Sequence, residues 1–274
     1  MKKTFKLISC LMLGVMTLLS FSASGATLMP ELQKMKRITS PEFSSLFVGS
    51  NIKVEIRQGA YPGYIEIEDA GENYSVYTEW KDNTLNIYPN MPEKEEIKVR
   101  ITTNSLNTIS LSSATLDASS LTFINSFTLN LYGQSKTKIG NLWASDININ
   151  VYGEGVVNIN GVISQNLRLD AWRNSKIDIK GIRVENVNAT SRYSSLISLS
   201  GKCRTKSLSF VNEGKISSEN LYEDPDMQQV IPDSVDSSKL LYFHPSQDKG
   251  TKKSGSPKKK EKSTPRKGSP VTQP

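Results

Sequence analysis

Histidine, cysteine and long apolar runs are all scarce in this 274-residue chain, and each shortage removes a class of function. Histidine occurs once, so a histidine-based metal site or a Ser-His-Asp triad would depend on His244 alone. The two cysteines are Cys10 and Cys203, and the first lies in a segment that we expect to be removed. One remaining thiol cannot form an internal disulfide or a cysteine-rich zinc site. The sequence therefore predicts neither a metal site nor a cofactor.

The one long apolar run lies near the N-terminus, within residues 1–26. Lysines open this segment, the apolar stretch Leu7–Phe21 follows, and small residues end it at Ala26. This order is typical of a secretory signal peptide cleaved after Ala26. A membrane span needs about 20 apolar residues, so an uncleaved anchor is the less favoured alternative. We expect an exported protein of the periplasm or cell surface that is not integral to the membrane.

Negative charge is in short supply at both ends, and this accounts for the net charge of +7. Residues 1–26 carry +3, residues 245–274 carry +7, and the body between them carries −3. A mildly acidic body argues against a specific nucleic-acid partner. Residues 246–274 are rich in Lys, Ser, Pro and Gly and predict a disordered basic tail. Such a tail contacts anionic surfaces or, in the simpler interpretation, keeps the protein soluble without a specific partner.

The body of the chain repeats every twenty residues. Apolar residues recur at this interval in several columns, among them Phe127, Ile147, Leu167 and Val187, and Ile139, Ile159, Ile179 and Leu199. Polar residues alternate with them, which indicates strands with one buried face. Each repeat holds two short strands and leaves no room for a helix, which excludes parallel βαβ units. We therefore predict an all-β protein, a right-handed parallel β-helix or solenoid of about five twenty-residue coils over residues 106–222.

The remaining segments are expected to cover the ends of this solenoid. Residues 41–105 alternate apolar and polar residues without the twenty-residue period, and predict an antiparallel β cap. Residues 27–40 form a linker before it. Residues 223–245 are predicted to be a loop followed by a closing strand, with Lys239–Phe243 as that strand.

Short motifs in this arrangement resemble the head GIN domain, a family labelled as an auto-transporter adhesin. Asn51–Gly59 is similar to the family's first strand, and Asp82–Ile87 to its Asp-Gly-x-Leu-x-Ile strand. The family's Ser-Gly-Ala-Ser turns correspond to the segments 112–115, 132–135, 152–155 and 172–175. The resemblance spans about residues 43–245 and implies an exported bacterial β-solenoid. It brings no catalytic residues with it.

An aromatic series follows the same period and is the candidate ligand-binding site. Tyr132, Tyr152 and Trp172 keep the twenty-residue register, and Tyr193 lies nearby. Their parity is opposite to that of the inward residues, so we expect the rings to face outward. Packing of ring on ring explains such a ladder without any ligand and is the simpler reading. The alternative is a platform for sugar rings, with hydrogen bonds from Arg173 and Asn174 or from a neighbouring column, namely Asn130, Asn150 and Asp170.

Two chemically reactive alternatives receive less support. Glycoside hydrolysis needs two facing carboxyl groups. The candidate acids are Asp117, Asp146, Glu154, Asp170 and Asp178. No two of them share a column in neighbouring coils. Cys203 is expected to be a buried small residue, although its basic neighbours leave a thiolate role open. His244 is expected to be an ordinary end-of-strand residue.

These observations favour three functions, in decreasing order of support. The first is a non-enzymatic, adhesin-like binding module of the cell envelope or surface, with a glycan or envelope polymer as its ligand. The second is a structural spacer of the envelope, tethered by the basic tail. The third is a polysaccharide-active β-helix enzyme.

Overall fold

The structure is a computed structural model and describes residues 35–59, 63–68, 76–90, 96–123 and 125–227. This part of the chain is all-β, and none of its residues form a helix. Accordingly, it contains no helix suited to crossing a membrane. The predicted signal peptide, most of the linker, the predicted closing strand, His244 and the basic tail lie outside the described residues.

Sixteen strands make up the described fold. They are β1 (Met35–Thr39), β2 (Ser45–Val48), β3 (Ile52–Gln58), β4 (Tyr64–Glu68), β5 (Val76–Lys81), β6 (Thr84–Pro89), β7 (Ile97–Thr103), β8 (Thr108–Ser112), β9 (Thr115–Thr122), β10 (Ser126–Tyr132), β11 (Lys136–Trp143), β12 (Asp146–Tyr152), β13 (Val156–Trp172), β14 (Lys176–Arg192), β15 (Leu196–Val211) and β16 (Lys215–Glu223).

The predicted solenoid is confirmed, with about six turns. Strands β10, β12, β13 and β14 pair in parallel at a register of twenty residues, so Leu129 lies beside Ile149, and Leu169 beside Ala189. Inward side chains of successive turns form continuous buried columns. Burial of these columns, at roughly 25 cal/mol per Å² of apolar surface, is the main stabilising contribution to the rod.

Each turn has three inward-facing segments rather than the two short strands expected from the sequence. In β13 the buried positions are Val157 and Ile159, then Val162 and Ser164, and then three residues on the last side, Leu167, Leu169 and Ala171. The spacing of buried residues changes from two to three at each corner, and pairing with β14 continues on both sides of each corner. A strand of 17 residues therefore bends around the core. The corners interrupt the alternation, which is why the sequence pattern suggested separate strands.

The N-terminal strands combine antiparallel and parallel pairing. Antiparallel pairs are present as predicted, between β1 and β4, β4 and β7, and β5 and β6. However, β2 and β3 also pair in parallel with β8 and β9, and β6 and β7 pair in parallel with β2 and β3. The predicted cap thus supplies the first parallel turns. The period is hidden in the sequence because the turn containing β2 and β3 lies between two turns that come later in the chain.

Candidate functional site

Three aromatic side chains form a ladder on the outer surface, one from each of three successive turns. Tyr132, Tyr152 and Trp172 end β10, β12 and β13 and lie in register. The Tyr132 and Tyr152 rings are stacked, with centroids 5.5 Å apart and planes 13° apart. The Trp172 ring lies 6.3 Å from the Tyr152 ring and is tilted by 40°. Tyr132 and Tyr152 are 43% and 38% exposed, so both side chains are partly open to solvent.

The next turn continues the ladder with a cation. Arg192, and not Tyr193, lies in register with Trp172. Its guanidinium carbon is 4.8 Å from the centre of the Trp172 ring, and its Nε is 3.4 Å from Asp170 Oδ1. Tyr193 follows in a left-handed conformation, with φ of 52°, and its ring lies 5.6 Å from that of Trp172. The ladder therefore ends in a cation–π contact and an ion pair.

Arg173 and Asn174 lie at the corner that follows Trp172. Both have positive φ, 53° and 56°, and both side chains are exposed. Their backbone N–H groups donate to the carbonyl oxygens of Arg192 and Tyr193 in the next turn. The structure thus places these two residues beside the ladder, on a turn fixed by hydrogen bonds between coils.

A column of amides runs beside the aromatic ladder. Asn150 Nδ2 donates to Asn130 Oδ1 at 2.9 Å, and Asn130 Nδ2 donates to Ser110 Oγ at 3.3 Å. Each bond uses one of the two N–H donors of an amide group, so the second donor of each is left for another partner. The ladder and the amides together present apolar edges flanked by neutral hydrogen-bonding groups.

Burial and a neighbouring carboxylate shift the pKa of Tyr152, the middle residue of the ladder. The pKa of Tyr152 is raised above its ordinary value, first by burial and then by Asp170 and Tyr132. The Tyr152 hydroxyl consequently stays protonated, and able to donate a hydrogen bond, over a wider alkaline range than that of a free tyrosine.

The surface that extends from Tyr152 and Tyr132 away from Trp172 is almost free of charge, a feature that sequence reasoning missed. The outward side chains of β6, β2, β8, β10 and β12 include one charged residue, Asp146, at the start of β12. The others are Thr84, Asn86, Tyr88, Ser45, Phe47, Thr108, Ser110, Ser112, Ser126, Thr128, Asn130, Tyr132, Asn148, Asn150 and Tyr152. We call this surface the uncharged face. The signal lies in comparing strands that are adjacent in space, and the order of β6, β2 and β8 in the sheet could not be read from the sequence.

A different surface, on β3, β4, β7 and β9, is rich in charge. Arg57 Nη2 lies 2.6 Å from Glu55 Oε1, and Arg100 contacts both Glu55 and Glu66. A depression of about 170 Å³ is lined here by charged groups and one valine, namely Lys53, Glu55, Glu68, Lys98, Val99, Arg100 and Asp117. These opposite charges neutralise one another across the strands.

This charged surface contains an acid pair that the sequence pattern did not reveal. Glu55 lies in register with Asp117 on the adjacent strand. Burial acts to raise the pKa of Glu55, but hydrogen bonds from Arg57 and Arg100 outweigh it and hold that pKa below its ordinary value. A general acid for glycoside hydrolysis needs a raised pKa, so Glu55 is poorly suited to that role.

Cys203, the remaining candidate residue in the described segments, lies in the packed interior of the solenoid. Cys203 is fully buried and ends an inward column that includes Val184. The pKa of its thiol is raised, chiefly by burial and further by Glu223, which opposes thiolate formation. Within the described segments, no three His, Cys, Asp or Glu side chains are grouped so that they could hold a metal ion.

The fold and sequence together define the class of protein. Residues 42–165 match the family described as "Putative auto-transporter adhesin, head GIN domain". This match confirms, over these residues, the resemblance drawn from the motifs. The family match supports an adhesin-like surface module.

Solved structures are similar to this chain at low sequence identity. A "putative lipid binding protein" from Parabacteroides distasonis ATCC 8503 is 17% identical, with a TM-score of 0.51, over 69% of this chain and 96% of that one. "Putative adhesins" from the same organism and from Bacteroides fragilis NCTC 9343 are 15% and 18% identical, each with a TM-score of 0.49, over 67% of this chain and 95% of theirs. At these identities the likeness concerns the fold alone. No curated protein matches the chain.

Proposed function

We propose that this protein is an exported, non-enzymatic binding module of the cell envelope or surface, and that its uncharged face binds a glycan. The aromatic ladder carries the proposal. Exposed ring edges at Tyr132 and Tyr152 adjoin the neutral amides of Asn130 and Asn150. Sugars present C–H groups and hydroxyls side by side, and a surface that alternates apolar and neutral polar groups complements them.

Several observations favour binding over catalysis. Among the described residues, the one acid pair in register, Glu55 and Asp117, lies on the charged surface and away from the ladder. Asp170, the acid that raises the pKa of the ladder residue Tyr152, is engaged by Arg192. Glycoside hydrolysis requires two facing carboxyl groups, and no two acids of the described residues lie in register on the strands that carry the ladder.

Ring stacking also limits how a glycan approaches. Because Tyr132 and Tyr152 stack on each other, the faces between them are shielded and their edges remain available. A glycan along the ladder therefore meets edges and hydroxyl groups, while hydrogen bonds to amides fix its position. The ligand is expected to be held by several weak contacts in series.

Affinity electrophoresis in gels containing soluble polysaccharides tests the proposal. The wild-type chain is expected to be retarded by at least one polysaccharide, and Trp172→Ala to lose that retardation. Tyr222→Ala is the matched control, since Tyr222 is 61% exposed and lies outside the ladder. Equal retardation of wild type and Trp172→Ala, or retardation of neither, would contradict glycan binding at the ladder.

The same gels distinguish the spacer with a basic tether. A chain shortened after residue 245 retains every described strand but lacks the basic segment. If that truncation abolishes retardation while Trp172→Ala does not, binding belongs to the tail. A fall in polysaccharide viscosity on addition of protein would instead indicate an enzyme.

A further inference from the structure

The run of aromatic rings on the uncharged face is interrupted at one strand. On one side stands Tyr132, whose in-register neighbour on β8 is Ser112. On the other side Phe47 and Tyr88 form a ring pair, with centroids 5.4 Å apart and planes inclined by 41°. Between these two groups β8 presents small hydroxyl side chains, Ser110 and Ser112. We call this interval, floored by the two serines, the serine gap.

The width of the serine gap follows from strand spacing. Val48 pairs with Leu111, so Gly49, the residue after it, lies beside Ser112 and two strands from Tyr132, a distance of about 10 Å. Phe47 pairs with Ser110 and lies two residues back along β2. Tyr88 starts one strand farther away but leans over Gly49, since a Cβ built on Gly49 would lie 3.3 Å from Tyr88 Cδ1. A saturated six-membered ring that contacts a wall on each of its two faces needs about 4 Å between the ring and each wall, or about 8 Å in total. The gap therefore matches one such ring.

The floor and walls supply complementary chemistry. The ladder ends at Tyr132, and no ring stands on β8 to cover the side of Tyr132 that faces the gap. Each serine hydroxyl both donates and accepts hydrogen bonds. Ser110 already accepts from Asn130 Nδ2, which retains a second N–H donor. An apolar wall over a hydroxyl-lined floor suits a pyranose, which has C–H groups on its faces and hydroxyls at its rim.

We propose that the serine gap is the binding subsite for one neutral sugar residue of an uncharged glycan, whose chain crosses the strands along the aromatic ladder. This inference rests on the proposed function and names its ligand class. The gap is the one place on the uncharged face where a ring of the ladder meets a strand without a ring. It is the anchor point, and the ring edges beyond it hold the following sugars.

The absence of cations selects for a neutral ligand. An acidic glycan would lose hydration at the serine gap without gaining an ionic partner, which is costly. Arg168 and Arg192 lie on β13 and β14, beyond the uncharged face. Arg192 is in addition engaged by Asp170 and by the Trp172 ring.

Filling the gap with a ring is the decisive substitution. Ser112→Tyr continues the ladder into β8, where a tyrosine stacks as Tyr132 and Tyr152 already do, so the fold is expected to be kept. Val211→Tyr is the matched control, because Val211 lies in register with Arg192 at the opposite end of the same column. It adds a ring without touching the gap. Melting temperatures of both variants establish that they fold.

The full-length chain and both variants are titrated calorimetrically with cellohexaose, maltohexaose and N-acetylchitohexaose as neutral probes, and with hexagalacturonate as the acidic probe. Wild type and Val211→Tyr are expected to bind at least one neutral probe equally. Ser112→Tyr is expected to weaken that binding about tenfold or more. No binding of any neutral probe overturns the inference.

Two further outcomes separate this inference from the proposed function. If Ser112→Tyr binds the neutral probe as wild type does while Trp172→Ala has lost it, the ladder binds glycan but the serine gap does not. If hexagalacturonate alone binds, and Trp172→Ala abolishes that binding, glycan binding stands and the neutral class is wrong. Loss of binding in both tyrosine variants also counts against the gap.

Discussion

The rings of Tyr132 and Tyr152 lie 5.5 Å apart and nearly parallel, because their strands are adjacent and in exact twenty-residue register. This pair links the repeat in the sequence to the surface that we propose as the site. Under our proposal the ladder serves recognition as well as stability, and the two contributions respond to different substitutions.

Truncating the middle ring should destabilise the rod. Tyr152 contacts a ring on each side, and each aromatic pair is worth about 0.5–1.5 kcal/mol beyond burial. Tyr152→Ala is therefore expected to lower the free energy of unfolding by about 2 kcal/mol, measured by urea denaturation. Tyr222→Ala, at an exposed site, should change it by less than about 0.5 kcal/mol. Equal losses in the two variants would show that the ladder adds no stability.

The raised pKa of Tyr152 predicts an alkaline loss of stability. The phenol of the unfolded chain ionises near its ordinary pKa of 10.0, whereas that of the folded chain stays neutral to higher pH. Its contribution is therefore fully present below pH 10 and is lost as pH rises through the folded-state value. Between pH 9 and 11.5, wild type should lose more unfolding free energy than Tyr152→Phe. Parallel curves would refute the perturbed pKa.

Close coil packing predicts contrasting effects at two glycines. Gly201 has φ of +135°, and a Cβ there would overlap backbone atoms of Ile182. Gly161 has no such φ, and its added Cβ would meet the end of the Asn141 side chain, which can move. Gly201→Ala should cost about 3 kcal/mol or more and Gly161→Ala about 1 kcal/mol. Thermal melts of both variants check this order, which a more loosely packed solenoid would not produce.

The single cysteine of the described segments should be inert in the folded protein. Cys203 is fully buried and the pKa of its thiol is raised. An aromatic disulfide reagent at pH 8 is expected to leave it unmodified until denaturant is added, because exposure requires opening of the coil. Rapid reaction in native buffer would mean that this end of the solenoid opens readily.

The repeat made the solenoid predictable, since inward columns such as that of Leu129, Ile149 and Leu169 lie at a constant interval in the chain. The first turns were not predictable in the same way. Strand β2 pairs with both β6 and β8, which are remote in sequence, so no period connects Phe47 with Ser110. Topology brings these residues together, and alternation alone carries no information about it.

Some features of the candidate site could likewise be predicted from the sequence, whereas others depend on the order of strands in the sheet. The outward positions of Tyr132, Tyr152 and Trp172 follow from parity, and Arg192 stands twenty residues after Trp172, so the same period places Arg192, and not Tyr193, next in the ladder. By contrast, the uncharged face and the pairing of Glu55 with Asp117 required knowledge of spatial order. Local pattern predicts which way a side chain points, and sheet order decides its neighbours.

Chemical protection of tyrosines by a bound polysaccharide tests the central claim most directly. The wild-type chain is iodinated with and without the polysaccharide that retards it, and each tyrosine is quantified by mass spectrometry. We predict protection of Tyr88, Tyr132 and Tyr152. Labelling of Tyr222 should be unchanged, and so should that of Tyr64, a β4 residue whose ring is covered by the guanidinium group of Arg37. Protection confined to Tyr64 or Tyr222, or no protection at all, would contradict binding at the uncharged face.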